Sequence, residues 1–232
     1  MDGHHAADRP GMSAPATPAP SVWSVMHTAS AVRRYRADPV DDSILHRCLT
    51  AATWAPSGGN QQPWRFVVVD SPAVRRVITE GARRTWETMR GFYGIEEPPA
   101  NADDPKSRVL RAMAEHTRIG GQVPVIVMFC IRPQAGATDL QQGGSIFPAM
   151  QNFLLAARAE GLGAAITLWH QSCEAELRDA VGIPPEWRIA ALVTAGWPQG
   201  SHRAVRRKPL SQVAARNDWH TPFLCLPTAE IR

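Results

Sequence analysis

Between residues 42 and 54 the apolar positions Ile44, Leu45, Cys48, Leu49 and Ala52 recur at three- and four-residue intervals, the spacing of one helical face. Asp41 and Asp42 stand at its start as capping side chains. Ala55-Pro56 ends it, because the residue before proline is pushed out of the helical region. The period then shortens: Arg65-Phe-Val-Val-Val69 is a β-branched run bounded by turn residues and predicts a strand. Residues 72–91 predict a helix of mixed polarity, and 106–118 predict another. Between them Gly91 to Lys106 (GFYGIEEPPANADDPK) is too polar and proline-rich for a core and predicts a long surface excursion, a length more often functional than accidental. Pro124 to Ile131 (PVIVMFCI) is apolar throughout and predicts a buried strand. Asp139 to Glu160 predicts the longest helix, with Ile146, Met150, Phe153, Leu154 and Ala157 at helical spacing; its nearly apolar middle predicts a central element. Gly161 ends it. A third strand is expected at Ala164–Leu168, a short helix at 173–181, and a fourth strand at Arg188–Ala195.

Roughly four core strands with several helices predict one α+β or α/β domain, and 232 residues suffice for one of good size. Residues 1–22, rich in Pro, Ala and small polar residues, predict a flexible arm. The domain spans 23–215. Residues 216–232, with Phe223, Leu224, Leu226 and Ile231, form a tail that packs on its own core or reaches onto a partner. No run of eighteen apolar residues occurs, so no membrane span is expected. The first twenty residues lack the basic start and apolar core of a secretory signal, and a cytoplasmic protein is expected.

The net charge of +4 permits an anionic ligand without specifying one. The cations are scattered, with no recognition helix or zinc-finger pattern, so nucleic acid is not expected as a partner. Cys48, Cys130, Cys173 and Cys225 are far apart with no C-x-x-C pair, so no metal is expected, and Cys48 and Cys130 read as buried thiols. No Ser-His-Asp or Cys-His arrangement stands out as a catalytic set.

The strongest local signal is Pro56-Ser57-Gly58-Gly59-Asn60-Gln61-Gln62-Pro63-Trp64. Its two glycines let backbone N–H groups approach a flat ligand closely, and Ser57, Asn60 and Gln62 add polar side chains. A rigid turn between helix and strand uses the same residues, so the loop alone leaves both readings open.

The stretch RRYRADPVDDSILHRCLTAATWAPSGGNQQPWRFVVV resembles the opening of a nitroreductase-family flavoprotein. AMQNFLLAARAEGLGAAITLW is similar to that family's central dimer helix and following strand, and the G-W-P turn and RRKPL follow in order. The likeness runs from about Ser30 to Leu210. It implies a mixed sheet flanked by helices in a domain-swapped homodimer, with FMN bound between subunits. It implies a ping-pong oxidoreductase taking a hydride from NADH or NADPH and reducing a small-molecule acceptor, a nitroaromatic or quinone. Relatives that dehalogenate, dehydrogenate or fragment flavin supply an alternative reaction, and a non-catalytic flavin-sequestering protein is a third reading.

Carried onto this sequence, the resemblance implies no catalytic side chain, because the cofactor carries the chemistry. Pro56, Ser57, Gly58, Asn60 and Gln62 would contact flavin from one subunit. Arg33 would face the flavin edge that gains negative charge on reduction, with Arg34 and Arg36 as surface neighbours. Arg206, Arg207 and Lys208 would hold the phosphate, and the backbone at Thr167, Leu168 and Trp169 would pass the reacting nitrogen. Phe92 and Tyr93 would cover the acceptor. His116 lies near a position whose counterpart faces flavin, and a surface histidine is the other reading. Where the family carries an arginine before Arg33, this chain reads Ala29-Ser30-Ala31, with Ser30 left as a phosphate donor and one charge missing.

Overall fold

The computed structural model describes residues 20–96, 101, 102 and 104–223; the arm up to residue 19 and the tail positions Leu224, Leu226 and Ile231 lie outside the described residues.

Alternation along two central strands decides the layers. β1 (Trp64–Val68), β2 (Val125–Ile131), β3 (Gly163–Thr167) and β4 (Arg188–Gly196) form one sheet in the order β1-β2-β4-β3. Val125, Val127 and Phe129 of β2 face one side with Ala191, Val193 and Ala195 of β4. There they meet α2 (Asp42–Thr53) through Leu45, Cys48 and Ala52, and α5 (Asp139–Ala159) through Ile146, Met150, Phe153 and Ala157. Ile126, Met128, Cys130 and Leu192 face the other side and pack on Ile78 and Ala82 of α3 (Pro72–Tyr93) and Leu177 of α6 (Glu174–Val181). A bulge between Phe129 and Cys130 pairs Cys130 with Ile189 and passes over Ala190, which keeps both large side chains on the α3 face. Cys48 and Cys130 are buried free thiols, as expected.

All four strands pair antiparallel. The parallel component of the expected mixed sheet is confined, among the described residues, to one bridge, Ala31–Ala164, beside β3.

Two helical boundaries move. α3 continues to Tyr93, and α4 begins at Pro105 and runs to Ile119. The expected excursion therefore contracts to 94–104. Gly94, not Gly91, ends α3: its left-handed φ of 56° lets its N–H reach the Arg90 carbonyl. Where the expected arm meets the domain, α1 (Val22–Thr28) starts on Ser21, whose side chain accepts from the Ser24 N–H at 3.2 Å. Only Val25 of this helix is buried, so its pattern is too short to carry a period. The visible tail turns back on itself, with the Phe223 N–H bonded to the Ala214 carbonyl at 2.8 Å.

Candidate functional site

A chain segment laid against the edge of β3 builds one wall of a cleft. Ala31 bridges Ala164, and the Val32 N–H donates to the Ala164 carbonyl at 2.9 Å. The Tyr35 hydroxyl donates to the Val32 carbonyl at 2.5 Å and lies 3.0 Å from the Thr194 hydroxyl. The Arg36 N–H reaches the Trp197 carbonyl at 2.8 Å. This lacing needs Gly163, where a Cβ would come within 2.5 Å of the Val32 side chain. Its φ is outside the left-handed region, so the requirement is space and not backbone freedom.

The segment, the second half of α5, β3 and His202 enclose a cavity of about 300 Å³. Ser30, Arg33, Gln151, Arg158, Ile166 and His202 supply its chemistry, and among the described residues no carboxylate lines it. Burial draws the Arg33 guanidinium below the ordinary arginine range, yet an arginine remains charged at neutral pH. Arg158 donates through Nε to the Thr28 hydroxyl at 2.9 Å. His202 Nε2 sits 3.2 Å from the Gly161 carbonyl, and its Nδ1 is buried without a hydrogen-bond partner. The cavity carries two arginines, Arg33 and Arg158, and an apolar wall at Leu154 and Ile166, a form suited to a flat amphiphilic anion.

Behind this wall, His116 is buried and corrects the surface reading. Its Nε2 lies 3.0 Å from the Thr194 hydroxyl, and its ring packs at 4.6 Å on Trp169. Burial first, and the charge of Arg33 second, push its pKa down to about 3, which keeps the imidazole neutral beside the arginine. Trp169 is core, at 5% exposure. Thr167 is buried with its hydroxyl unpartnered, and Leu168 is exposed.

The loop 56–64 lies elsewhere. Gly59, Asn60 and Gln62 all take positive φ, 57°, 53° and 49°, a conformation costly for the two non-glycine residues. Internal bonds hold it: the Gln62 N–H donates to Ser57 Oγ at 2.9 Å, and Gln62 Nε2 to Asn60 Oδ1 at 3.3 Å. The polar side chains expected to face a ligand thus first brace one another. Gly58 lines a second cavity of about 380 Å³ with Gln142 and Ser145, in the first half of α5. Pro56 is exposed beside it.

The structure therefore brings Ser30 and Arg33 together beside β3 and leaves Pro56–Gln62 in a separate group. Arg206, Arg207 and Lys208 are exposed and line neither cavity; the Val205 N–H, bonded to the His27 carbonyl at 2.8 Å, ties this stretch to α1. Arg34 and Arg36 pair at the surface with Glu115 and Asp38. Phe92 is exposed at the end of α3 and lines neither cavity; the Tyr93 side chain lies outside the described residues. Arg158, Gln151 and His202 were not anticipated. For Gln151 and Arg158 the one sequence signal is that 151, 154 and 158 share a helical face.

Residues 28–197 match the nitroreductase family. The chain is 33% identical over 180 residues to 5,6-dimethylbenzimidazole synthase of Rhodospirillum rubrum, covering 74% of this chain and 79% of that protein. It is 31% identical over 191 residues to an NADH dehydrogenase of Thermus thermophilus, covering 78% and 89%. Among solved structures, a nitroreductase with bound FMN from Desulfitobacterium hafniense superposes with a TM-score of 0.60 at 19% identity, covering 81% and 94%. Nitroreductase A from Vibrio parahaemolyticus gives 0.65 at 18%, covering 86% and 77%. With the fold, the laced β3 edge and the match over most of the domain in agreement, the chain belongs to the nitroreductase family.

Proposed function

We propose that this protein is an FMN-dependent oxidoreductase that takes electrons from NADH or NADPH and passes them, in a ping-pong cycle, to a nitroaromatic or quinone acceptor. The observation that carries the reading is the cavity at the β3 edge: Arg33 and Arg158 line it, no acid of the described residues does, and Leu154 and Ile166 give it an apolar wall. The residues fit a flavin nucleotide, since a dianionic phosphate requires charge-assisted donors and a flat ring requires apolar surface.

Bound FMN would supply two-electron transfer, accepting a hydride from the nicotinamide and returning it to the acceptor. The chain's part is electrostatic and steric. Arg33, partly stripped of water, favours negative charge on whatever group it faces. Neutral His116 keeps a second charge from competing with it. The β3 backbone beside Ile166 offers a fixed rail along one face of the cleft.

At about 300 Å³ the cavity stands at the small end of ligand pockets, and the chain exposes several large apolar side chains. Val22, Trp23 and Met26 of α1, Leu140 and Phe147 of α5, and Ile166 and Leu168 are all exposed. A second copy of this chain would cover such a surface and could complete the cleft with its own Pro56–Gln62 loop. Purified protein is expected to be yellow and to bleach under argon with NADH or NADPH. A colourless protein that stays inert after FMN is added would sink the proposal.

The relatives named as 5,6-dimethylbenzimidazole synthases, at 33% and 30% identity, favour a second reading in which that compound is the product. Chromatography of an aerobic reaction with FMN and NADH distinguishes the two: its appearance supports the second, and acceptor turnover without it supports the first.

A further inference from the structure

We infer that Arg158 binds the phosphate end of the flavin nucleotide, supplying the cation that Ala29-Ser30-Ala31 lacks; the inference rests on the flavin reading above. Arg158 stands in the last turn of α5. Its Nε bond to the Thr28 hydroxyl docks it against the residue immediately before that segment. The two terminal nitrogens make no hydrogen bond or ion pair with the described residues, so the planar fork that matches phosphate geometry is unspent.

The acid nearest in sequence does not compete. Glu160, two residues on, is held by Arg47 through two contacts of 2.8 and 2.7 Å. His202 lies on the same cavity wall. Ser30 adds a hydroxyl. Arg206, Arg207 and Lys208 point to a weaker alternative, since none of them lines this cavity. A cation lost from the N-terminal segment is thus replaced from a helix distant in sequence, at the same end of the same cleft.

The test is titration of flavin-free protein with FMN and with riboflavin, which lacks the phosphate, followed by flavin fluorescence. Wild type is expected to bind FMN about tenfold or more tightly than riboflavin, the scale of one charge-assisted contact. Arg158→Ala is expected to weaken FMN by about tenfold or more and riboflavin by less than about twofold. Ser30→Arg, added to Arg158→Ala, should restore FMN affinity, because it returns the charge from the other wall. If the alanine variant does not fold, Arg158→Gln carries the same comparison. An Arg158 variant that binds FMN as wild type does, or that loses both flavins equally, overturns the inference and leaves the flavin reading intact. Wild-type protein that binds neither flavin overturns both.

Discussion

Acid should destabilise this fold through His116 in a way that can be isolated. The imidazole is 3% exposed, packed on Trp169 and edge-on to Tyr35, and its pKa falls from 6.5 to about 3. Between those values the unfolded chain binds a proton that the folded chain refuses. Stability from this group is therefore complete above the unfolded pKa and is lost as pH falls toward the folded one. Integrating the linkage from pH 7 to pH 5 gives a loss of about 2 kcal/mol. His116→Phe keeps the ring packing, removes the titration and sacrifices one hydrogen bond to Thr194, a pH-independent offset of about 1 kcal/mol. Urea unfolding at closely spaced pH values is the assay. Wild type should lose about 2 kcal/mol more than the variant between pH 7 and 5. His170 and His202, whose pKa values burial also lowers, are common to both proteins and cancel. Parallel curves over that range would refute the reasoning.

Three further outcomes follow from the site. Gly163→Ala forces a Cβ to within 2.5 Å of Val32 and should cost about 1–3 kcal/mol in urea unfolding; it should also weaken flavin binding, because the Arg33 segment must lift from β3. Arg33→Gln should lower the two-electron reduction potential of bound flavin by roughly 30 mV in spectroelectrochemistry, the equivalent of losing about 1.4 kcal/mol of anion stabilisation. Trp23→Glu and Phe147→Glu, at positions 54% and 57% exposed in the single chain, should shift the protein to monomer in sedimentation and reduce flavin content in proportion.

The elements that the sequence revealed are those whose determinants are local. α2 is bounded by an Asp41 cap and a proline, and β2 is apolar at every position, so neither depends on distant contacts. α1 stayed hidden because seven residues with one buried side chain carry no measurable period. The true end of α3 depended on which of Gly91 and Gly94 takes the left-handed cap, a choice composition does not encode. His116 looks like a surface histidine between Glu115 and Thr117; its burial is imposed by Tyr35, Trp169 and Thr194, from three other parts of the chain. Arg33 was legible because a turn motif fixed its register in the resemblance. Arg158 was not, since an arginine in the last turn of a helix ordinarily serves the helix dipole, and only the fold sets it beside Ser30.

The division of the site along α5 makes the strongest demand on the proposed assembly. Ser145 shares its cavity with Gly58, while Arg158 shares the other with Arg33. The second position lies thirteen residues after the first on the helix, roughly 20 Å along the axis. In an isologous dimer each surface meets its own copy in reverse, so antiparallel α5 helices would set the Gly58 end of one chain against the Arg158 end of the other. Each cleft would then need Arg33 from one subunit and the Gly58 loop from its partner. This arrangement has a distinctive consequence. Arg33→Glu and Gly58→Trp should each abolish flavin binding as a homodimer, the first by reversing the charge that faces the anionic ligand and the second by filling space that a Cβ at Gly58 leaves open. Co-refolded in equal amounts, half of the dimers are mixed, and each mixed dimer holds one cleft damaged twice and one untouched. About a quarter of all clefts should regain flavin, from the symmetry of the pairing alone. If both halves of a cleft came from one chain, mixing would restore none, and the shared-site account would be wrong even if the protein were a dimer.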